Sequence, residues 1–230
     1  MSERWGRELD PVTKKRIQAE LKMGNDIWNK MVAMGMQSPP AVIMAHLPET
    51  YTMRGQLGEL IEQFLSADVK DRKANGGVLV GVRVRILQHA DPEIGDILKA
   101  LEEVIAFCGA TPRTSSTPAR RLGRRRAQKK AKLAQDITNK LLALGRRRPS
   151  TVLGERLSDL YVAFEDNERV VDRFLRTDVK DLKAMGKVLV DIKAALDVIR
   201  YHIKKVRRPL DGAIHYCYEE DADTQASEEP

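Results

Sequence analysis

The sequence predicts an all-α protein made of two tandem helical-bundle repeats of about one hundred residues, joined by a basic linker. Three observations carry this. The stretch DVKDRKANGGVLV from Asp68 returns as DVKDLKAMGKVLV from Asp178, and residues 26–86 align without a gap on 136–196, with 22 identities in 61 pairs. Aromatic residues make up 5% against 42% hydrophobic residues overall, a composition that suits helices better than pleated strands. Finally, Asp, Pro and Gly punctuate both copies where helices should start and stop.

In the first copy Asp10 caps a helix whose first position is Pro11, and Gly35 ends it, since Gly adopts the left-handed conformation cheaply. Thr117 and Pro118 open the counterpart and Gly145 closes it. Ile27, Met31 and Met34, with Ile137, Leu141 and Leu144, recur at helical spacing and make the buried stripe. A short second helix is expected after Pro39 and Pro149, and a third running up to Phe64 and Phe174. The repeated motif then opens another helix, with Asp68 and Asp178 as N-caps and Asp71 and Asp181 favoured by the positive end of its dipole. Gly76 and Gly186 lie inside that helix, where Gly costs about 1 kcal/mol relative to Ala, and a close helix crossing explains them. The first copy adds a helix with Asp91 as cap, Pro92 at its first position and Gly109 as its stop. The expected organisation is therefore a first bundle over 1–110, a linker over 111–118, a second bundle over 119–210 with a basic first helix, and an acidic, disordered tail over 211–230.

The net charge of +7 is unevenly placed: residues 113–148 carry thirteen bases against the single acid Asp136, a local +12 that leaves the remainder at −5. The two cysteines, Cys108 and Cys217, stand far apart, which fits free thiols in a cytoplasmic protein. The longest uncharged run, residues 31–48, contains Gln37, Ser38, Pro39 and Pro40, so no membrane span is expected, and no signal peptide opens the chain.

Enzymatic chemistry has no visible signature. The chain lacks a phosphate loop ending in Gly-Lys-Ser/Thr, a His-Glu-x-x-His pair and paired Cys motifs, and His215 with Cys217 is too small a set for a structural metal. No cofactor, metal or catalytic residue is expected. The basic segment speaks for nucleic acid instead. Arg120, Arg121, Arg124, Arg125, Lys129 and Lys132 begin the first helix of the second copy, and guanidinium and ammonium groups with no acids between them repel one another unless a polyanion lies along them. Arg146, Arg147 and Arg148 follow that helix, and Lys204, Lys205, Arg207 and Arg208 close the last helix of the second copy. Antiparallel packing would join these clusters in one groove. Lys70, Lys73, Lys180 and Lys183, kept in both copies, are either duplicated phosphate contacts or partners of neighbouring acids. With few aromatic residues beside the bases, stacking on single-stranded bases is not indicated, and backbone contact is expected.

A duplicated, non-enzymatic, basic helical bundle of this size resembles the small helical subunits of CRISPR RNA-guided effector complexes, those of type IV systems among them. The resemblance rests on architecture and charge across both repeats. It implies an antiviral-defence ribonucleoprotein in which such subunits line up beside the guide-RNA backbone with other protein subunits, bound to RNA or single-stranded DNA. The alternative from a different class is a protein-interaction adaptor, or a phage-type structural or DNA-binding protein with no RNA role.

Overall fold

A computed structural model describes residues 10–110, 123–145 and 151–219, and every regular element among them is helical. They are α1 (Pro11–Ala33), α2 (Ala41–Ser66), α3 (Arg72–Arg83), a π-helical segment (Val84–Ala90), α4 (Asp91–Phe107), α5 (Arg124–Ala143), α6 (Thr151–Arg176) and α7 (Leu182–Tyr218). The linker, the expected start at Thr117 and Pro118, Arg120, Arg121, Arg146, Arg147, Arg148 and the tail beyond Glu219 lie outside the described residues.

Each copy is three rods. The Asp10 side chain accepts from the backbone amides of Val12 and Thr13 and caps α1 as its sequence implies. Gly35, Gly109 and Gly145 take positive φ at the ends of α1, α4 and α5, where a side chain would be strained. The expected short second helix and the third are one continuous helix in each copy, α2 and α6, with Pro48 inside α2. Proline there leaves the Met44 carbonyl without its helical donor, and α1 closes on it: a Cβ at Gly24 would sit 2.6 Å from that oxygen. In the second copy the small residue changes sides, and a Cβ at Gly154 of α6 would meet the Ala134 carbonyl of α5. Positions 24 and 134, and 44 and 154, are equivalent, so one crossing is preserved by glycine on either helix.

The third rod differs between copies in one informative way. In the first it is α3, the π segment and α4 in succession; in the second it is the single helix α7. Buried Leu79, Val82 and Ile86 match Leu189, Ile192 and Leu196 at an offset of 110, whereas buried Ala90, Ile94, Ile97, Leu101 and Val104 match Ile199, Ile203, Val206, Leu210 and Ala213 at 109. The first copy therefore holds one extra residue, and the wider π turn absorbs it and returns the apolar stripe to the core. Two pairs of equivalent contacts confirm the new register. Phe107 lies 3.9 Å from a Cβ on Gly35 and Tyr216 3.2 Å from one on Gly145, and Cys108 and Cys217 meet Gly186 and Gly76 respectively. The two cysteines are thus equivalent positions. Asp91 is not a cap, because the rod runs on from Ala90 without interruption.

The copies interlock. A bundle of six rods shares one apolar cluster, with α2 against α6, and α3 and α4 against α7, which differs from two cores in series. The last rod also runs through position 210 to Tyr218, past the expected bundle limit. Gly76 and Gly186 mark the exchange: Cβ atoms there would approach Cys217 Cβ at 2.9 Å and Ala110 Cβ at 2.8 Å, so the start of each third rod packs on the end of the other. Met31, Met34 and Met53 are fully or nearly buried and fill the core, and Met23 and Met36 pack partly buried against it.

Lysines lock this exchange from both sides. Lys30 of α1 donates to the carbonyls of Leu175 (3.0 Å) and Thr177 (2.6 Å) at the end of α6, and Lys140 of α5 donates to those of Leu65 (3.4 Å) and Ala67 at the end of α2. Lys140 is 8% exposed. Each ammonium also sits over a phenylalanine, Phe174 for Lys30 and Phe64 for Lys140. A cation at a helix C-terminus satisfies free carbonyls and the negative end of the dipole together.

Two outcomes follow for stability. Lys140→Met should lower the urea-unfolding free energy by about 1.5–3 kcal/mol, the range for a charge-assisted hydrogen bond, and Lys30→Met should act in the same direction. Deleting the exposed Gln88 should convert the π segment to α-helix and leave the thermal midpoint within a few degrees of the parent, because it restores the register of α7. Deleting Lys99 should collapse the fold, because it turns Leu101, Val104 and Ile105 about 100° out of the core; circular dichroism melts distinguish the two.

Candidate nucleic-acid interface

The basic residues of α5 divide into two faces. Arg126 and Lys130 turn inward to α6: Arg126 contacts Asp166 at 2.9 Å and Glu165 at 3.1 Å, and Lys130 pairs with Asp159. Burial opposes the Arg126 charge, but Asp166 and Glu165 outweigh it and raise the guanidinium above its ordinary range. Arg124, Arg125, Lys129 and Lys132 are exposed and form no ion pair among the described residues. Residues 125, 129 and 132 follow i, i+4, i+7 spacing and therefore share one solvent face.

The acids that neutralise the inner face come from α6, between 29 and 40 residues further along the chain, so the sequence alone counts all these bases as equal. α5 and α7 both pack on α6, where Asp159 contacts Lys130 and lies 3.9 Å from His202. A carboxylate of α6 thus faces basic groups of both α5 and α7. Burial lowers the His202 imidazole below its ordinary range despite Asp159.

On α7, Lys204, Lys205, Arg207 and Arg208 are exposed in mid-helix, since the helix continues to Tyr218. Lys205 lies over the Tyr201 ring at 5.5 Å, and Arg200 is held 3.4 Å from Asp91 of α4. Lys204, Arg207 and Arg208 form no ion pair among the described residues.

The repeated motif is built differently from its expected capping. Asp71 and Asp181 are the N-caps, accepting from Ala74 N and Ala184 N at 2.8 Å, whereas Asp68 and Asp178 accept from Lys70 N and Lys180 N at 3.0 Å in the turn before the helix. Val69 is 37% exposed in the turn before α3. Lys70, Lys73, Lys180 and Lys183 are exposed and make no ion pair among the described residues. The sequence motif nearest to a binding feature is therefore a capped corner carrying free ammonium groups, seated directly on the Lys30 and Lys140 locks.

No family model, curated protein or solved structure matches this chain. The geometry stands on its own. Among the described residues no helix is long and apolar enough to cross a membrane.

The two-faced α5 gives a direct expectation. Arg126→Ala should cost about 1–2 kcal/mol in urea unfolding, because it leaves carboxylates of α6 without their partner. Arg125→Ala should stay within about 0.5 kcal/mol of the parent, as exposed substitutions do.

Proposed function

We propose that the protein is a non-catalytic structural subunit that binds the nucleic-acid backbone, RNA or single-stranded DNA, within a larger cytoplasmic nucleoprotein assembly. The observation that carries this reading is the outer face of α5, where Arg124, Arg125, Lys129 and Lys132 stand exposed with no acid among them, Asp136 following one turn after Lys132. An alternating surface would neutralise itself. This face does not, although the same helix neutralises Arg126 and Lys130 on its other side. Rows of cations with few aromatic residues recognise phosphates rather than base edges.

The exposed lysines at the two motif corners, and Lys204, Arg207 and Arg208 on α7, supply further phosphate contacts. Arg120, Arg121 and Arg146 to Arg148 extend the tract in sequence. Two linked weak sites bind as one event at high effective concentration, which gives a duplicated scaffold an advantage on a regular polyanion. The resemblance to the small helical subunits of CRISPR effector complexes fits this reading, with the guide-RNA backbone as the polyanion and other subunits as protein partners.

Fluorescence anisotropy with a labelled RNA, a single-stranded DNA and a duplex, across a salt series, tests it. Binding should be evident at roughly 50 mM salt and weaken as salt rises, with a slope of about 0.7 to 0.9 per phosphate contacted. Reversing charge at Arg125, Lys129 and Lys132 together should weaken binding and reduce that slope by about 2 to 3. No binding at 50 mM salt, or an unchanged slope in the triple variant, contradicts the proposal.

A further inference from the structure

The internal duplication supplies its own comparison for a polar cavity of about 210 Å³ in the first copy, where α1, α2 and α4 meet. Its walls include Glu20, Glu49, Gln56 and Glu93, with Arg16 and Arg85 at the side. His46 stands one turn before Glu49 on α2, its Nδ1 3.4 Å from Glu49 Oε2. One ligand atom from each of His46, Glu49 and Glu93 lies within 4.8 Å of the others.

Several polar atoms here lack what they need. Gln56 is 8% exposed and lines the cavity; its Nε2 donates to Thr52 at 3.0 Å, but its Oε1 has no hydrogen-bond partner. Glu93 Oε2 is buried and equally unpartnered. Glu20 is engaged, accepting from Thr52 at 2.6 Å and lying 3.9 Å from Arg16. Burial first, and then the adjacent Glu49, push the Glu93 carboxyl up to about 7. Arg85, which lines the cavity, offsets part of this repulsion, and a positive charge or a proton between the two carboxyls would offset the rest.

The second copy shows what fills the same place. At the positions of Arg16, Glu20, His46, Glu49, Gln56 and Glu93 it has Arg126, Lys130, Arg156, Asp159, Asp166 and His202. There Asp159 takes the Lys130 ammonium, with Arg156 at 3.4 Å and His202 at 3.9 Å, and the other carboxylate, Asp166, is held by Arg126 at 2.9 Å. The first copy has replaced that ammonium by a third carboxylate, Glu20, and brought Glu93 against Glu49.

We propose that His46, Glu49 and Glu93 bind a divalent first-row transition metal, Zn²⁺ or Mn²⁺, in the first copy alone. An imidazole nitrogen with two carboxylate oxygens suits such ions. Bonds of about 2.0–2.2 Å require ligand atoms no more than roughly 4.3 Å apart, within reach of a small side-chain adjustment. Gln56 Oε1 accepts from a water on the ion. The ligands lie on helices 44 residues apart in sequence, so no short motif reveals them. The site ties α2 to α4 just beyond the π segment.

The test uses the full chain stripped with EDTA, then dialysed separately against Zn²⁺ and Mn²⁺, with bound metal quantified by mass spectrometry and affinity by titration calorimetry. One equivalent per chain and a raised thermal midpoint are expected. Glu93→Gln and His46→Asn should each weaken affinity at least roughly tenfold. Glu20→Lys copies the ammonium of the second copy, so it should fold and abolish binding; if it does not fold, the nearly isosteric Glu93→Gln decides. Substoichiometric metal in the parent, or unchanged affinity in Glu93→Gln and His46→Asn, overturns the site and leaves a proton shared by Glu49 and Glu93.

Discussion

An ammonium group set on the carboxyl end of a helix from the other copy is the contact on which the arrangement turns. Lys30 reaches the end of α6 and Lys140 the end of α2, so each central helix, whose Gln63 or Arg173 carbonyl is met within its own copy, has its last carbonyls met by the other. The free carbonyls of a helix end must find donors. Here the carbonyls of Leu65, Ala67, Leu175 and Thr177 find theirs on the other copy, and desolvation lowers both lysines below their ordinary range without removing the pairing. Everything after those helix ends follows from it. The corners at Asp68 and Asp178 start where the lysines stop the helices, and the third rods leave these corners to cross over Gly76 and Gly186 onto the opposite copy. Additional links run the same way: Tyr51 to Asp172 at 3.1 Å, Arg54 to Glu168 at 2.9 Å and Arg83 to Asp211 at 2.6 Å.

What the sequence discloses here is mostly local. Helix stops at Gly35, Gly109 and Gly145 and the cap at Asp10 depend on a few neighbouring residues, and they stand where the sequence puts them. The expected break between a short second helix and a third occurs in neither copy; Pro48 inside α2 removes one hydrogen bond, and Gly24 of α1 packs over the freed Met44 carbonyl. The exchange of Asp68 for Asp71 as cap is a matter of three residues in a turn. The interlocking was not legible: identical helices satisfy the same periodicity whether each copy packs on itself or on its sister. The gapless alignment also ends near Ile86 for a physical reason, since the extra residue of the π segment shifts all later pairs by one.

The candidate interface was legible as charge and not as geometry. Which bases on α5 face solvent depends on acids of α6 that only folding brings near. The copies have also diverged in chemistry while keeping one scaffold. The second exposes bases on α5 and fills its inner pocket with Lys130, Arg156 and His202; the first gathers Glu20, Glu49 and Glu93 there. Duplication lets one frame hold an exposed basic face and an acidic cavity about a shared core.

The central claim is that two repeated sequences make one cooperative body. Differential scanning calorimetry of the full chain measures this most directly. A single transition whose van't Hoff and calorimetric enthalpies agree is the predicted result. Two transitions, or one with a calorimetric enthalpy about twice the van't Hoff value, would show two bundles that melt separately and would contradict it.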